Sequence, residues 1–178
     1  MVDVAHVRMF GKTVGSVSWN SRYGVARFEY DPEFVRSGIQ PSPILMPALH
    51  LSYQEAQEMY RRVVFNVVVR NHDDHTKNIS FLMDRHGKWR LSPAYDMGYA
   101  YNPDGSWTSA HQMSVNGKSD GITRTDLLEL AARNNIRNAS QIIDEVCHAC
   151  ASWHKIAREC EVPHTMIEQI LPNMQLSI

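Results

Sequence analysis

The sequence predicts an α+β protein in which a small N-terminal antiparallel β-subdomain precedes a mostly α-helical lobe. Apolar and polar side chains alternate through roughly the first 30 residues, and a helical spacing of apolar residues dominates the second half. With 178 residues and 43% hydrophobic side chains, the chain is long enough to bury a good core. We expect residues 1–50 to form the β-subdomain with a proline-rich linker, and residues 51–178 to form the helical lobe.

The alternation of apolar and polar side chains predicts that the first elements form a β-meander. Residues 4–10 alternate, Gly11-Lys12 provides a turn, and strand patterns follow at residues 14–18 and 24–30. Gly11-Lys12-Thr13 resembles the end of a phosphate-binding loop, but His6 occupies the position where that motif needs glycine. We therefore interpret Lys12 as an exposed turn residue and not as a phosphate ligand.

A short helix and a linker come next. Asp31 followed by Pro32 has the cap and first-turn proline that begin a helix, and Gly38 is placed to end it. Residues 39–51 contain three prolines, which remove backbone donors and disfavour helix before each ring. This stretch is the expected internal boundary.

The second half begins with a buried helix. Ser52 and Glu55 form a capping box, and apolar residues keep a helical period to about Arg70. Residues 79–83 and 88–91 flank His86-Gly87 in the manner of a β-hairpin.

Helical patterns return in the last third of the chain. One helix begins at Thr123, and a second begins at Asn138, with Gln141 completing its cap, and continues through Ile156.

Composition excludes several classes of function. The chain has 18 basic and 19 acidic side chains, so no overall charge draws it to nucleic acid or anionic lipid. No apolar run is long enough to cross a bilayer, and the N-terminus lacks a signal-type core. The odd count of three cysteines argues against a secreted disulfide framework. We expect a soluble, cytoplasmic protein with reduced thiols.

The spacing of polar residues after the first long helix is typical of phosphoryl transfer. Protein kinases place an aspartate that positions the attacking hydroxyl five residues before a metal-binding asparagine, and Asp73 and Asn78 have that spacing. A further aspartate, Asp96, lies 18 residues after Asn78, just beyond the predicted hairpin. The order of helix, loop, hairpin and aspartate is that of the kinase catalytic lobe.

These residues imply a metal ion and two supporting groups. The oxygen ligands of Asn78 and Asp96, completed by phosphate oxygens, suit Mg²⁺. His75 is placed to hydrogen-bond the loop, and Lys77 is placed to neutralise the transferring phosphate. The alternative for both His75 and Lys77 is an ordinary solvated loop position.

Two segments together resemble the HipA-like family of bacterial serine/threonine kinases. Residues 65–78 are similar to the catalytic segment of that family, and residues 89–96 are similar to its metal-binding segment. The resemblance covers about residues 52–160, and residues 10–15 and 28–32 resemble the opening β-subdomain. It implies that Asp73 is the catalytic aspartate, Asn78 and Asp96 the magnesium ligands, and His75 and Lys77 members of the catalytic loop. It further implies ATP as phosphoryl donor, a protein substrate and a DNA-binding antitoxin as partner.

The family's nucleotide-binding lobe has no counterpart in the sequence. Lys12 is the only lysine before the predicted catalytic loop, and no G-x-G-x-x-G motif occurs. Positioning supplies most of the catalysis in phosphoryl transfer, so the chain alone is expected to be a weak kinase or an inactive one. A partner chain that supplies the lobe, a natural short form and an engineered deletion all fit this pattern.

Three alternatives to a kinase site follow from other residues. The cluster His72-Asp73-Asp74-His75 also fits a metal-dependent phosphohydrolase, although no other histidine is clearly arranged toward it. A non-catalytic pseudokinase that binds a protein partner fits the missing lobe. Cys147 and Cys150 have metal-type spacing, yet their helical pattern favours core positions. The loop from Tyr99 to Lys118 is either a substrate or partner surface or an ordinary packed loop.

Overall fold

The computed structural model describes residues 4–9, 11–20, 25–36, 52–86 and 88–178. The described residues divide into two compact units, one from residues 1–50 with 81–90 and the other from residues 51–80 with 91–178. Small antiparallel sheets and six helices within the described ranges confirm the α+β prediction. Gly38 and the proline-rich linker lie outside these ranges, so the division into domains 1–50 and 51–178 stays a prediction.

The first unit contains the expected meander. Strands β1 (Val4–Met9), β2 (Lys12–Asn20) and β3 (Val25–Tyr30) pair antiparallel in the order β1-β2-β3. Gly11 makes the first turn at a φ of 79°, which glycine adopts without steric cost. Lys12 is exposed as predicted, and it is the first residue of β2, directly after the Gly11 turn.

A helix and most of a hairpin belong to the same unit. Helix α1 (Pro32–Arg36) is capped by the Asp31 carboxylate, which accepts hydrogen bonds from the backbone amides of Glu33 and Phe34. Strands β4 (Phe81–Met83) and β5 (Trp89–Leu91) form the expected hairpin. The predicted turn residue Gly87 lies outside the described residues.

The second unit is helical and begins with α2 (Tyr53–Val69). Ser52 and Glu55 form the predicted capping box. Helices α3 (Arg124–Arg133), α4 (Ala139–Ala151), α5 (Trp153–Glu159) and α6 (His164–Ile170) follow in order. The core lies between α2, α3 and α4 and includes the fully buried side chains Val64, Val68, Leu127, Ile142 and Ile143.

The prediction of one helix from Asn138 through Ile156 is wrong, because the helix breaks at Ser152. After the break, α5 packs against α6 and buries Ala157, whereas α4 packs against α2. Asn138 is the N-cap residue of α4, as predicted, but its side chain makes no capping hydrogen bond and instead accepts one from Gln57 of α2. No helix within the described ranges is both long and apolar enough to cross a membrane.

Candidate active site

The candidate site is built on the loop that follows α2. Arg70 ends the helix in the left-handed region at a φ of 53°, which turns the chain out of the helical path. The side-chain amide of the buried Asn71 donates to Asn66 Oδ1 at 3.1 Å, and its backbone amide donates to the Asn66 carbonyl at 2.8 Å. The loop therefore leaves the helix in a fixed direction and closes with a single 3₁₀ turn, Thr76–Asn78.

Asp73 and Asn78 are joined within this loop. The Asn78 side-chain amide donates to the Asp73 carbonyl at 2.9 Å. The same bond leaves Asn78 Oδ1 available as a ligand, because the amide nitrogen is the donor. The Asp73 side chain is 49% exposed, and its Oδ1 lies 3.7 Å from His75 Nε2. The carboxylate is thus open to an incoming hydroxyl group.

The segment from Tyr95 to Ala100 is bonded to the loop at several points. Tyr95 donates its hydroxyl to the Lys77 carbonyl at 2.7 Å, and the Asn71 side chain donates to the Asp96 carbonyl at 3.2 Å. Ala100 exchanges backbone hydrogen bonds of 3.1 Å with Arg70 and His72. Asp96 is therefore held beside the loop that carries Asp73 and Asn78.

The Asp96 backbone is unusual. Its φ is 54°, a conformation that costs a non-glycine residue about 1 kcal/mol or more. Its side chain is exposed, and neither carboxylate oxygen has a hydrogen-bond partner within the described part of the chain. Strained backbone positions are frequent at functional sites, and the exposed Asp96 carboxylate is free to bind a ligand.

The two predicted metal ligands fit magnesium. Asn78 Oδ1 and the Asp96 carboxylate are hard oxygen donors, and Mg²⁺ accepts one or two protein ligands together with phosphate oxygens and water. The described residues contain no group of three His, Cys, Asp or Glu arranged to hold a metal ion. A magnesium site here would therefore depend on the phosphates of a nucleotide for its remaining ligands.

A buried cluster behind the loop was missed in the sequence. Asp74 Oδ2 lies 2.8 Å from His111 Nδ1, and Asp74 Oδ1 accepts the backbone amides of Gln112 at 2.8 Å and Met113 at 3.1 Å. The side chains of Asp74 and His111 are only 3% and 2% exposed. The expectation that no further histidine faces the cluster is wrong, since His111 reaches it from another loop.

Asp74 is ionised in this environment. Burial raises the pKa of its carboxyl, but hydrogen bonds from His111 and from the amides of Met113 and Gln112 outweigh burial and leave the pKa below its usual value. With both oxygens engaged by donors, Asp74 acts as an anchor for the 111–113 segment and is not free to bind a metal. This bonding removes a ligand that the phosphohydrolase alternative requires.

His72 completes the cluster. The centroid of its ring lies 4.2 Å from that of His111 and 5.0 Å from that of Tyr101. The Arg70 guanidinium carbon lies over the other ring of this group, 4.4 Å from the Tyr101 centroid. Burial lowers the pKa of His72, and the charges of His111 and Arg70 lower it further, against smaller opposing effects of Thr108 and Asp74. Neither His72 Nδ1 nor His111 Nε2 has a partner within the described ranges.

The cysteine pair on α4 belongs to the core. Cys150 is 8% exposed and lies in the buried apolar cluster, and Cys147 packs against that cluster. Burial raises the pKa of Cys150 to about 11 and also raises that of Cys147. Both thiols thus have core positions, and no group of three His, Cys, Asp or Glu among the described residues is arranged to hold a metal ion.

A family model matches most of the chain. The family model described as the HipA-like C-terminal domain matches residues 42–154. The matched segment contains the loop with Asp73 and Asn78, the segment with Asp96, and helices α2 to α4. No curated protein matches the chain.

Proposed function

The chain belongs to the HipA-like C-terminal domain family, and we propose that it is a serine/threonine protein kinase that transfers the γ-phosphoryl group of ATP to a protein hydroxyl. The observation that carries this proposal is the bonding between the two segments. The Asn71 side chain and the Tyr95 hydroxyl connect the segment of Asp96 to the loop of Asp73 and Asn78. A kinase site requires these three side chains in one place.

In this proposal Asp73 receives the acceptor hydroxyl. Its half-exposed carboxylate accepts the hydroxyl hydrogen and orients the oxygen for attack on the γ-phosphorus. The bond from Asn78 to the Asp73 carbonyl limits the movement of the loop and so preserves that orientation. His75 Nε2 lies 3.7 Å from Asp73 Oδ1, and a protonated His75 ring stabilises the negative charge of the Asp73 carboxylate.

Asn78 and Asp96 would hold magnesium. The ion, when bound, neutralises charge on the phosphate oxygens as the γ-phosphoryl group is transferred. Lys77 is exposed, and its backbone carbonyl is held by the Tyr95 hydroxyl. Its ammonium group is therefore free to approach the phosphates and to balance their negative charge.

A second candidate function is a non-catalytic module that binds a protein partner. Lys12, the only lysine before the catalytic loop, lies exposed at a β-turn. It therefore has the environment of a turn residue and not that of a buried phosphate ligand. For the kinase, the proposed source of the nucleotide contacts is a partner chain that supplies the missing nucleotide-binding lobe. A DNA-binding antitoxin as partner and a cytoplasmic location remain predictions of the family assignment.

Phosphoryl transfer tests the proposal directly. The chain is incubated with Mg²⁺, ATP labelled in the γ-phosphate and a mixture of serine- and threonine-containing peptides, and label in the peptides is counted. We expect weak transfer by the wild type, because the sequence has no counterpart of the nucleotide-binding lobe, and a loss of about 100-fold or more in Asp73→Asn. The exposed Asp120 provides a matched control, because Asp120→Asn makes the same change at a residue outside the loop of residues 71–78. A wild type that transfers no label would contradict the kinase and favour the binding module.

A further inference from the structure

Two large aromatic rings are exposed on the segments that flank the catalytic loop. Trp107 is 73% exposed and Tyr95 is 41% exposed. Exposed tryptophan and tyrosine are enriched at protein interfaces, where they supply much of the binding energy.

The loop that carries Trp107 is internally fixed. Asn102 accepts the backbone amide of Gly105 at 2.9 Å and donates its own to the Thr108 carbonyl at 3.2 Å. A Cβ added at Gly105 would lie 2.6 Å from Thr108 Oγ1 and 3.1 Å from the Asn102 carbonyl oxygen, so a larger residue there would have to displace its neighbours. The Trp107 ring is therefore presented to solvent on an ordered support.

This support is bonded to the residue next to Asp73. The Gln112 side chain donates to the Trp107 carbonyl at 2.6 Å, and the Gln112 backbone amide donates to the Asp74 carboxylate at 2.8 Å. One residue thus links the Trp107 backbone to the catalytic loop. On the other segment, the Tyr95 hydroxyl binds the Lys77 carbonyl at 2.7 Å. The Tyr95 hydroxyl and the Trp107 backbone are therefore both connected by hydrogen bonds to the loop that carries Asp73.

From this geometry we infer that Trp107 and Tyr95 dock the polypeptide that carries the acceptor serine or threonine. The inference rests on the proposed function and names the residues that contact the substrate. A serine or threonine whose hydroxyl binds Asp73 has substrate residues on both sides of it. The two rings lie on the segments that are bonded to the loop of Asp73, where these flanking residues would pass. Apolar side chains flanking the acceptor would cover the rings, and the ordered support lowers the entropy cost of binding.

The test measures binding of short serine-centred peptides with varied flanking residues to the immobilised chain. We expect peptides with apolar flanking residues to bind the wild type, and Trp107→Ala to weaken that binding about tenfold or more. Trp19→Ala is the matched control, since Trp19 is 59% exposed on β2, in the other unit. Equal melting temperatures of the three proteins would show that the substitutions leave the fold intact.

Equal peptide binding by the wild type and Trp107→Ala, or no binding by the wild type, would overturn the inference. The same peptides then separate it from the proposed function. Peptides that bind through Trp107 but accept no phosphate would support the docking surface and contradict the kinase. Peptides that are phosphorylated with the same KM by the wild type and Trp107→Ala would support the kinase and contradict the surface.

Discussion

Asp74 joins two loops through a single buried carboxylate. It accepts three hydrogen bonds, one from the His111 ring and two from backbone amides, at distances between 2.8 and 3.1 Å. Hydrogen bonds to a buried ionised group are stronger than those between neutral groups. The anchor therefore fixes the 111–113 segment against the loop that contains Asp73.

Replacing Asp74 by asparagine should destabilise the protein. The amide nitrogen of asparagine cannot accept the hydrogen bonds that the second oxygen receives, and the negative charge is lost. We expect the free energy of unfolding to fall by about 3 kcal/mol, measured by urea titration. Asp84→Asn at the hairpin turn is the control for the substitution itself. A loss of unfolding free energy in Asp74→Asn no larger than that in Asp84→Asn would contradict the role of Asp74 as an anchor.

His72 gives the protein a dependence on pH. Because burial lowers its pKa in the folded state, the unfolded chain binds more protons than the folded one below the ordinary value of 6.5. The contribution of His72 to stability is complete above pH 6.5 and is lost as pH falls from that value toward the lower pKa of the folded state. We expect the free energy of unfolding to decrease from pH 7 to pH 5, a range above the usual pKa of Asp74.

The variant His72→Phe isolates this effect. Phenylalanine fills a similar volume without titrating, so the decrease between pH 7 and pH 5 should be smaller in the variant than in the wild type. Urea unfolding at both pH values measures the difference. The same decrease in both proteins would assign the pH dependence to another group.

Residue identity and spacing were enough to select Asp73, Asn78 and Asp96 as candidates. Their roles stay predictions, although hydrogen bonds connect their segments in the structure. His111 was missed because it lies 37 residues from Asp74 in a loop without periodicity. No local pattern predicts such a contact.

Among the elements, α2 has the most direct influence on the site. Its capping residue Glu55 accepts the backbone amide of Ser52 at 2.9 Å and also that of Leu91 at 2.8 Å. Farther along the helix, the buried Arg62 donates to the Ser92 carbonyl at 2.8 Å. The helix that ends at the loop of Asp73 and Asn78 thus also holds the chain that leads to Asp96.

This double role predicts unequal effects of two changes in one capping box. Ser52→Ala removes the cap and should cost about 1 kcal/mol of unfolding free energy. Glu55→Ala removes the reciprocal bond and the bond to Leu91, so we expect a loss of about 2 kcal/mol. The exposed Gln54→Ala in the same turn should change stability by less than about 0.5 kcal/mol. Equal losses at Ser52 and Glu55 would show that the bond to Leu91 contributes nothing.

The elements were predicted well where local signals decide them. The capping box placed the start of α2, and the alternation of side chains placed the meander. The break at Ser152 was missed because apolar spacing continues across it, and tertiary packing against α6 redirects the chain there. The start of α4 at Asn138 was predicted correctly, but the capping hydrogen bond of its side chain is absent, since Gln57 of α2 binds that side chain.

At the scale of the whole molecule, family membership and fold class agree. The family match spans the loop, the hairpin and the helices that hold the site, and the described residues have the predicted α+β composition. The assignment of residues 1–50 as a separate domain depends on a linker outside the described residues. The proposed kinase activity depends in turn on the source of the nucleotide contacts, for which we propose a partner chain.

Binding of Mg·ATP tests the central claim most directly, because Asp96 and Asn78 are proposed to hold the metal against the phosphates. Calorimetric titration of the wild type should show binding, Asp96→Ala should abolish it, and the control Asp120→Ala should bind like the wild type. No binding by the wild type, or equal binding by the wild type and Asp96→Ala, would contradict the proposed magnesium site.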